Sequence, residues 1–288
     1  MKTLSLLLIA LVTLLHSVEK VTYTFTTDPI DVVIPCTIKD RVSLELCIEG
    51  IRRYGQGIGR IIVISEEKLS DHAEWFDERR FPFRKSDIAL TLFRQDRKAA
   101  LEYMTRCANS GYSRLGWIYQ QLLKLYAVSV IPNISSNVLV LDADVIFLNP
   151  TSFIDVDGTP FLTAAGEYHS PYFDHMRRLI PWLKRETNYS GISHHMLMQR
   201  CVMDDFFKTV EEKHQVPAWK ALCLCIDPKD VYEPCLSEYE IYFNFLLARS
   251  DQAHVRLLKW DNIGSLKHLD DYQQKDYHYI AWHSWGRS

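Results

Sequence analysis

Two aspartates one residue apart, Asp142-Ala143-Asp144, end an unbroken apolar run, Val138-Leu-Val-Leu141. Carboxylates at this spacing can point the same way and share a hard divalent cation. Mg2+ or Mn2+ held like this keeps coordination positions open for diphosphate oxygens. It also offsets the charge that builds on a leaving nucleoside diphosphate. Asp is common in plain strand-end turns as well. The apolar run leading into the pair favours a ligand site, because open α/β sheets bind ligands at the C-terminal ends of their strands.

A second group of chemistry-bearing side chains lies just upstream. Trp117, Gln120, Gln121 and Lys124 recur at i, i+3, i+4 and i+7, one stripe of a helix, while Leu122, Leu123, Leu125 and Tyr126 serve the core. Two amides, a ring and one cation can read ribose, sugar hydroxyls or phosphate. A solvated helix face is the plainer alternative.

These residues need a scaffold, and the pattern supplies one. Asp31-Val-Val-Ile-Pro35 reads as a short buried strand. Leu44, Cys47, Ile48 and Ile51 mark an amphipathic helix that the glycines at 55, 57 and 59 end. Arg60-Ile-Ile-Val-Ile64 is the next strand, which makes the opening of a parallel α/β sheet. Residues 67–112 carry no clear periodicity. A strong helix spans Leu115 to Val130, stopped by Pro132, and the strand 137–141 delivers Asp142. Phe161 to Ala165 suggests another strand. Helices are expected near 172–183, 195–213 and 237–248.

Taken in order, these pieces resemble the GT-A-fold, DxD-containing nucleotide-sugar glycosyltransferases. The resemblance rests on Val32-Val-Ile-Pro35, the Trp117–Lys124 helix and Leu141-Asp-Ala-Asp-Val-Ile-Phe-Leu-Asn-Pro150. It continues through Ser193-His-His-Met196, Ser237-Glu-Tyr-Glu240 and Trp282-His-Ser-Trp285, and covers roughly residues 30 to 285. It looks closest to a poorly characterised bacterial-type group. The fold it implies is a GT-A-like, Rossmann-like α/β domain over 28–288. Residues 28–150 would form a nucleotide-sugar half and residues 151–288 a helix-rich acceptor half.

The same resemblance implies site residues. Pro35, Cys36 and Thr37, at the end of the first strand, should meet the nucleotide, with Arg41 nearby. Trp117, Gln120, Gln121, Lys124, Asp142, Ala143 and Asp144 complete donor binding. His283 would join Asp142 and Asp144 at Mn2+ or Mg2+, since neutral imidazole suits Mn2+. Ser193, His194, His195 and Trp285 would line the acceptor side. Adjacent histidines face different ways in any regular element, so His194 and His195 should not chelate one metal together. An inverting transfer needs a carboxylate base for the acceptor hydroxyl. Glu238 and Glu240 stand where family members carry it. Ser237-x-x-Glu240 is also a capping-box pattern, which would engage Glu240 and leave Glu238 as the base. A retaining route needs no base there, and the sequence does not choose between the two.

The implied partners are a nucleotide-sugar donor and a glycan, lipid-linked or protein hydroxyl acceptor. Hydrophobic residues at 47% and charged residues at 24% exclude a disordered chain. A net charge of -3 leaves no concentrated basic face for nucleic acid. Seven cysteines without CxxC pairs argue for scattered thiols rather than a zinc module. Lys2 ahead of the apolar run Leu4–Leu15 suggests a signal peptide or signal anchor within residues 1–20. That run implies membrane association or secretory entry, with a cytoplasmic protein as the runner-up. Two other functions compete: a haloacid-dehalogenase-like phosphatase with Asp142 as nucleophile, and an inactive sugar-binding module of the same fold.

Overall fold

The computed structural model describes residues 18–110 and 114–283. The apolar N-terminal run and Trp285 therefore lie outside the described residues. Among the described residues no helix is long and apolar enough to cross a membrane.

The first half runs β1 (Ile30–Pro35), α1 (Arg41–Tyr54), β2 (Ile58–Ser65), β3 (Glu74–Asp77), α2 (Lys85–Leu92), α3 (Arg97–Asn109), α4 (Arg114–Val130), β4 (Asn137–Leu141) and β5 (Val145–Phe147). The second half runs β6 (Phe161–Thr163), α5 (Ser170–Leu179), β7 (His195–Gln199), α6 (Arg200–His214), α7 (Ala218–Leu224), α8 (Glu238–Arg249), β8 (His254–Arg256), β9 (Trp260–Asn262), α9 (Leu269–Gln274) and β10 (Tyr279–Ala281). The expected α/β class is present: a central, mostly parallel sheet flanked by helices; among the described residues the second half is no richer in helix than the first, contrary to expectation.

The central sheet has the order β3-β2-β1-β4-β7, and only β7 runs antiparallel to its neighbour. β4 explains why its sequence is apolar throughout. Val138 and Val140 enter one core layer, whereas Leu139 and Leu141 enter the layer on the opposite face. A strand covered on both faces cannot alternate apolar with polar residues. The first layer draws in α2, α4, α6 and α8; the second draws in α1 and β5.

One expectation fails here. Residues 195–213 do not form a single helix: His195–Gln199 is β7, paired with β4, and the helix starts at Arg200. All five β7 residues are buried, and a short apolar run buried on both faces carries no strand period to read. The unreadable stretch 67–112 holds β3, α2 and α3.

The chain order places a switch point beside β1. The chain leaves β1 toward β2 and β3, then returns to β1's other edge as β4. The C-terminal ends of β1 and β4 thus flank the crevice where such sheets bind ligands. At the back of the molecule, residues 19–23 strap the far end of α8. Arg249 donates to the Glu19 carbonyl at 2.6 Å and receives the Val21 N–H at its own carbonyl at 2.6 Å. Asp205 accepts from both Arg249 and the Tyr23 hydroxyl.

Candidate functional site

The turn after β4 is fixed from three sides. The Asp142 N–H donates to the His194 carbonyl at 3.0 Å, and the Trp282 N–H donates to the Asp144 carbonyl at 2.8 Å. From beneath, the Cys47 thiol of α1 donates to the Asp142 carbonyl at 3.6 Å. Burial holds that thiol well above its ordinary pKa, helped by the nearby Asp144, Cys36 and Asp142, so Cys47 is a neutral packing group. β5 then pairs antiparallel with β10, and β10 ends two residues before His283. This pairing brings a late histidine to a motif 139 positions upstream.

Asp144 Oδ2 lies 2.9 Å from His283 Nδ1, and His283 Nε2 lies 2.9 Å from Asn262 Oδ1. Burial pulls the His283 pKa down, but Asp144 outweighs burial and the net direction is upward. His194 Nδ1 lies 3.5 Å from Asp142 Oδ2, and the His194 and His283 rings are 5.1 Å apart.

Opposite stands a buried ion triad. Lys124 is only 3% exposed, and its Nζ donates to Asp142 Oδ1 at 2.5 Å and to Glu238 Oε1 at 2.6 Å. It also donates to the Tyr239 hydroxyl at 3.3 Å. Burial disfavours the Lys124 charge, but the two carboxylates more than offset it and keep it an ammonium. Asp142 is held below its ordinary range: burial acts against ionisation, and Lys124 and His194 overcome it. Glu238 moves upward, because burial and Asp142 exceed the pull of Lys124.

These groups open onto a cleft of about 670 Å³. From the first half of the chain the cleft receives Pro35, Cys36, Thr37, Trp117, Gln120, Gln121, Lys124, Asp142, Ala143 and Asp144. From the second half it receives His194, Glu238 and His283. Gln120 Nε2 donates to the Pro35 carbonyl at 3.5 Å, which ties α4 to the end of β1. Gln121 is buried, and its amide donates to the Trp117 carbonyl at 3.2 Å. The stripe on α4 is therefore an interior wall rather than a solvated face.

Four expected residues go elsewhere. Arg41 opens α1 outside the cleft lining, where Lys39 and Asp40 stand instead. Ser193 is buried, with its hydroxyl donating to the His195 carbonyl at 3.0 Å. His195 points into the core against Phe147, Phe153 and Tyr279, where burial pushes its pKa down to about 3 and keeps it neutral. The two histidines do face different ways: His194 has a positive φ of 61° and turns to the cleft just before the strand begins.

Glu240 is the fourth. Its Oε1 accepts from the Ser190 hydroxyl at 2.6 Å, and its Oε2 accepts from the Gly191 N–H and the Asn244 amide at 3.3 and 2.9 Å. Ser237 Oγ does cap the helix by accepting from the Glu240 N–H at 3.2 Å. The Glu240 carboxylate, however, turns to the 190–191 loop instead of closing a capping box. Gly191 permits that approach, since a Cβ there would lie 2.6 Å from Phe243 and 2.8 Å from the Tyr239 carbonyl. Glu240→Ala is expected to cost about 1–3 kcal/mol of stability, because buried donors lose their acceptor. A denaturant melt unchanged from wild type would refute this structural role.

The cleft also contains residues the sequence reading did not select, among them Lys39, Glu78, Lys85, Arg114 and Tyr172. Tyr172, in the first turn of α5, stacks on Trp117 with ring centroids 6.3 Å apart and planes at 17°. Glu78 and Lys85 belong to the stretch without periodicity, so no pattern announced them. Tyr239 was legible only as the middle of the Ser237–Glu240 motif.

Two carboxylates and an imidazole at one end of a cleft have the donor chemistry of a hard or borderline divalent cation. The residue types fit such an ion. Their present partners include one another, Lys124, His194 and Asn262, and among the described residues no three His, Cys, Asp or Glu side chains stand in ligating geometry. The seven cysteines are all free thiols, six of them buried.

No curated protein matches the chain. Among solved structures it is similar to the crystal structure of mouse xyloside xylosyltransferase 1 in its apo form, at 10% identity and a TM-score of 0.37. That alignment covers 91% of this chain and 99% of the mouse chain, a likeness too loose to transfer an activity. The sequence model of DUF6492, described as a family of unknown function, matches residues 27–263. With that much of its length matched, the chain belongs to DUF6492.

Proposed function

We propose that this protein is a metal-dependent, inverting glycosyltransferase that moves a sugar from a nucleotide-sugar donor to a hydroxyl acceptor. One observation carries the reading: Asp142, Asp144 and His283 line one cleft at the C-terminal end of β4, beside the switch point, and Glu238 lines it too, joined to Asp142 through Lys124. The resemblance of the ordered sequence motifs supports it independently.

In this reading Asp142, Asp144 and His283 hold Mn2+ or Mg2+. When bound, the ion supplies positive charge to the diphosphate leaving group. The end of β1 at Pro35–Thr37 and the wall of α4 receive the nucleotide and the donor sugar. Glu238 takes the proton from the acceptor hydroxyl as its oxygen attacks the anomeric carbon and the bond to the diphosphate breaks. An upward-shifted carboxylate suits a base that works near neutral pH.

The test is ligand-induced stabilisation. UDP or GDP together with Mn2+ is expected to raise the melting temperature, by about 2.7 kcal/mol of stability at a hundredfold excess over Kd. A melting temperature unmoved by every common nucleoside diphosphate, with and without Mn2+, would sink the reading.

A further inference from the structure

We infer that Lys124 is a positioning residue and the resident counter-charge of the cleft. It holds Asp142 and Glu238 in place and opposes the binding of a divalent cation that arrives alone. The inference rests on the metal-site reading above and assigns Lys124 a different part from phosphate recognition.

The geometry removes Lys124 from the donor-binding residues. An ammonium has three N–H donors and no more. Asp142 Oδ1, Glu238 Oε1 and the Tyr239 hydroxyl take all three, at 2.5, 2.6 and 3.3 Å. The ammonium also lies 4.4 Å from the centroid of the Tyr239 ring, which closes that side of it. A phosphate oxygen could bind Lys124 only by breaking a buried ion pair.

The same contacts join two parts of the chain. Lys124 comes from α4 and Asp142 from the end of β4, whereas Glu238 and Tyr239 open α8, more than 110 residues after Lys124. One ammonium thus sets the separation between a proposed metal ligand and the proposed base. Without it, Asp142 and Glu238 would repel each other at low exposure.

Its charge has a further effect. A cation held 2.5 Å from an Asp142 oxygen reduces the field that this carboxylate offers to a metal. Asp144 is bonded to the imidazole of His283, and among the described residues no ammonium stands beside it. The metal alone therefore meets a partly neutralised site, and a diphosphate that brings its own negative charge makes loading favourable.

The experiment titrates Mn2+ alone against wild type, Lys124→Gln, Lys124→Met and Lys124→Arg, reading free Mn2+ by electron paramagnetic resonance. Loss of the charge in the Gln and Met variants is expected to tighten Mn2+ binding by about tenfold or more, while Arg keeps it weak. Lys124→Gln retains N–H donors for both carboxylates, so it remains informative where Lys124→Met does not fold. A lysine with only a structural part would not raise metal affinity on removal. Equal Mn2+ affinity in wild type and Lys124→Gln overturns the inference and leaves the metal site standing. No Mn2+ bound by any of the four proteins, with or without UDP or GDP, overturns the metal site and the inference with it.

Discussion

Asp144→Asn is expected to reduce sugar transfer by about 10²–10³-fold, the scale on which one electrostatic stabiliser of developing charge acts, while the protein stays folded. The side chain sits at the cleft, and its hydrogen-bonded partner is His283, 2.9 Å away. An asparagine retains the shape and a hydrogen bond to the imidazole but removes the ligand charge. Asp142→Asn should be as damaging to activity and worse for stability, since it also leaves Lys124 with one carboxylate instead of two. The readout is nucleoside diphosphate release from a panel of nucleotide sugars, with a thermal melt beside it. Wild-type release by Asp144→Asn, or undiminished wild-type release in excess chelator, would end the metal-dependent reading.

The second large effect belongs to Glu238. Glu238→Gln is expected to lower kcat by about 10²–10⁴-fold, the usual contribution of a general base, with little change in donor affinity. Glutamine keeps the volume and can still accept from Lys124, so the triad loses a charge rather than a packing contact. The melt should fall as well, because this variant too leaves Lys124 with one carboxylate, so rates are compared at a temperature where both proteins are folded. A rate near wild type, with the product keeping the donor's anomeric configuration, would show a retaining enzyme and remove the base from Glu238. Because the two variants remove groups with different proposed parts in one cleft, their failures mean different things: the first removes the metal, the second only the stereochemical course.

Much of this site was legible before any coordinates. The apolar run into Asp142-Ala-Asp144 announced a strand buried on both faces and the pair of carboxylates at its end. The stripe on α4 was legible as a stripe. Its role was not: helical spacing tells which residues share a face, and it does not tell whether Gln121 and Lys124 meet water or carboxylates. The same gap explains His195, whose inward turn depends on pairing with β4, and Glu240, whose partners lie 50 positions upstream in a loop. β7 hid inside an expected helix because its burial on both faces erased the alternation. Contacts at long range in sequence were the part that spacing could not carry.

The two ends of α8 also matter for handling the protein. Glu238 begins the helix in the cleft, and Arg249 ends it under the strap formed by residues 19–23. At about 1.5 Å per residue, the helix separates these points by roughly 16 Å. His283, by contrast, borders the cleft only five positions before Ser288. A purification tag or a surface tether joined ahead of Glu19 would therefore hang behind the cleft and leave its mouth open. A bulky group introduced at His283 would instead stand against Asp144 and narrow that mouth.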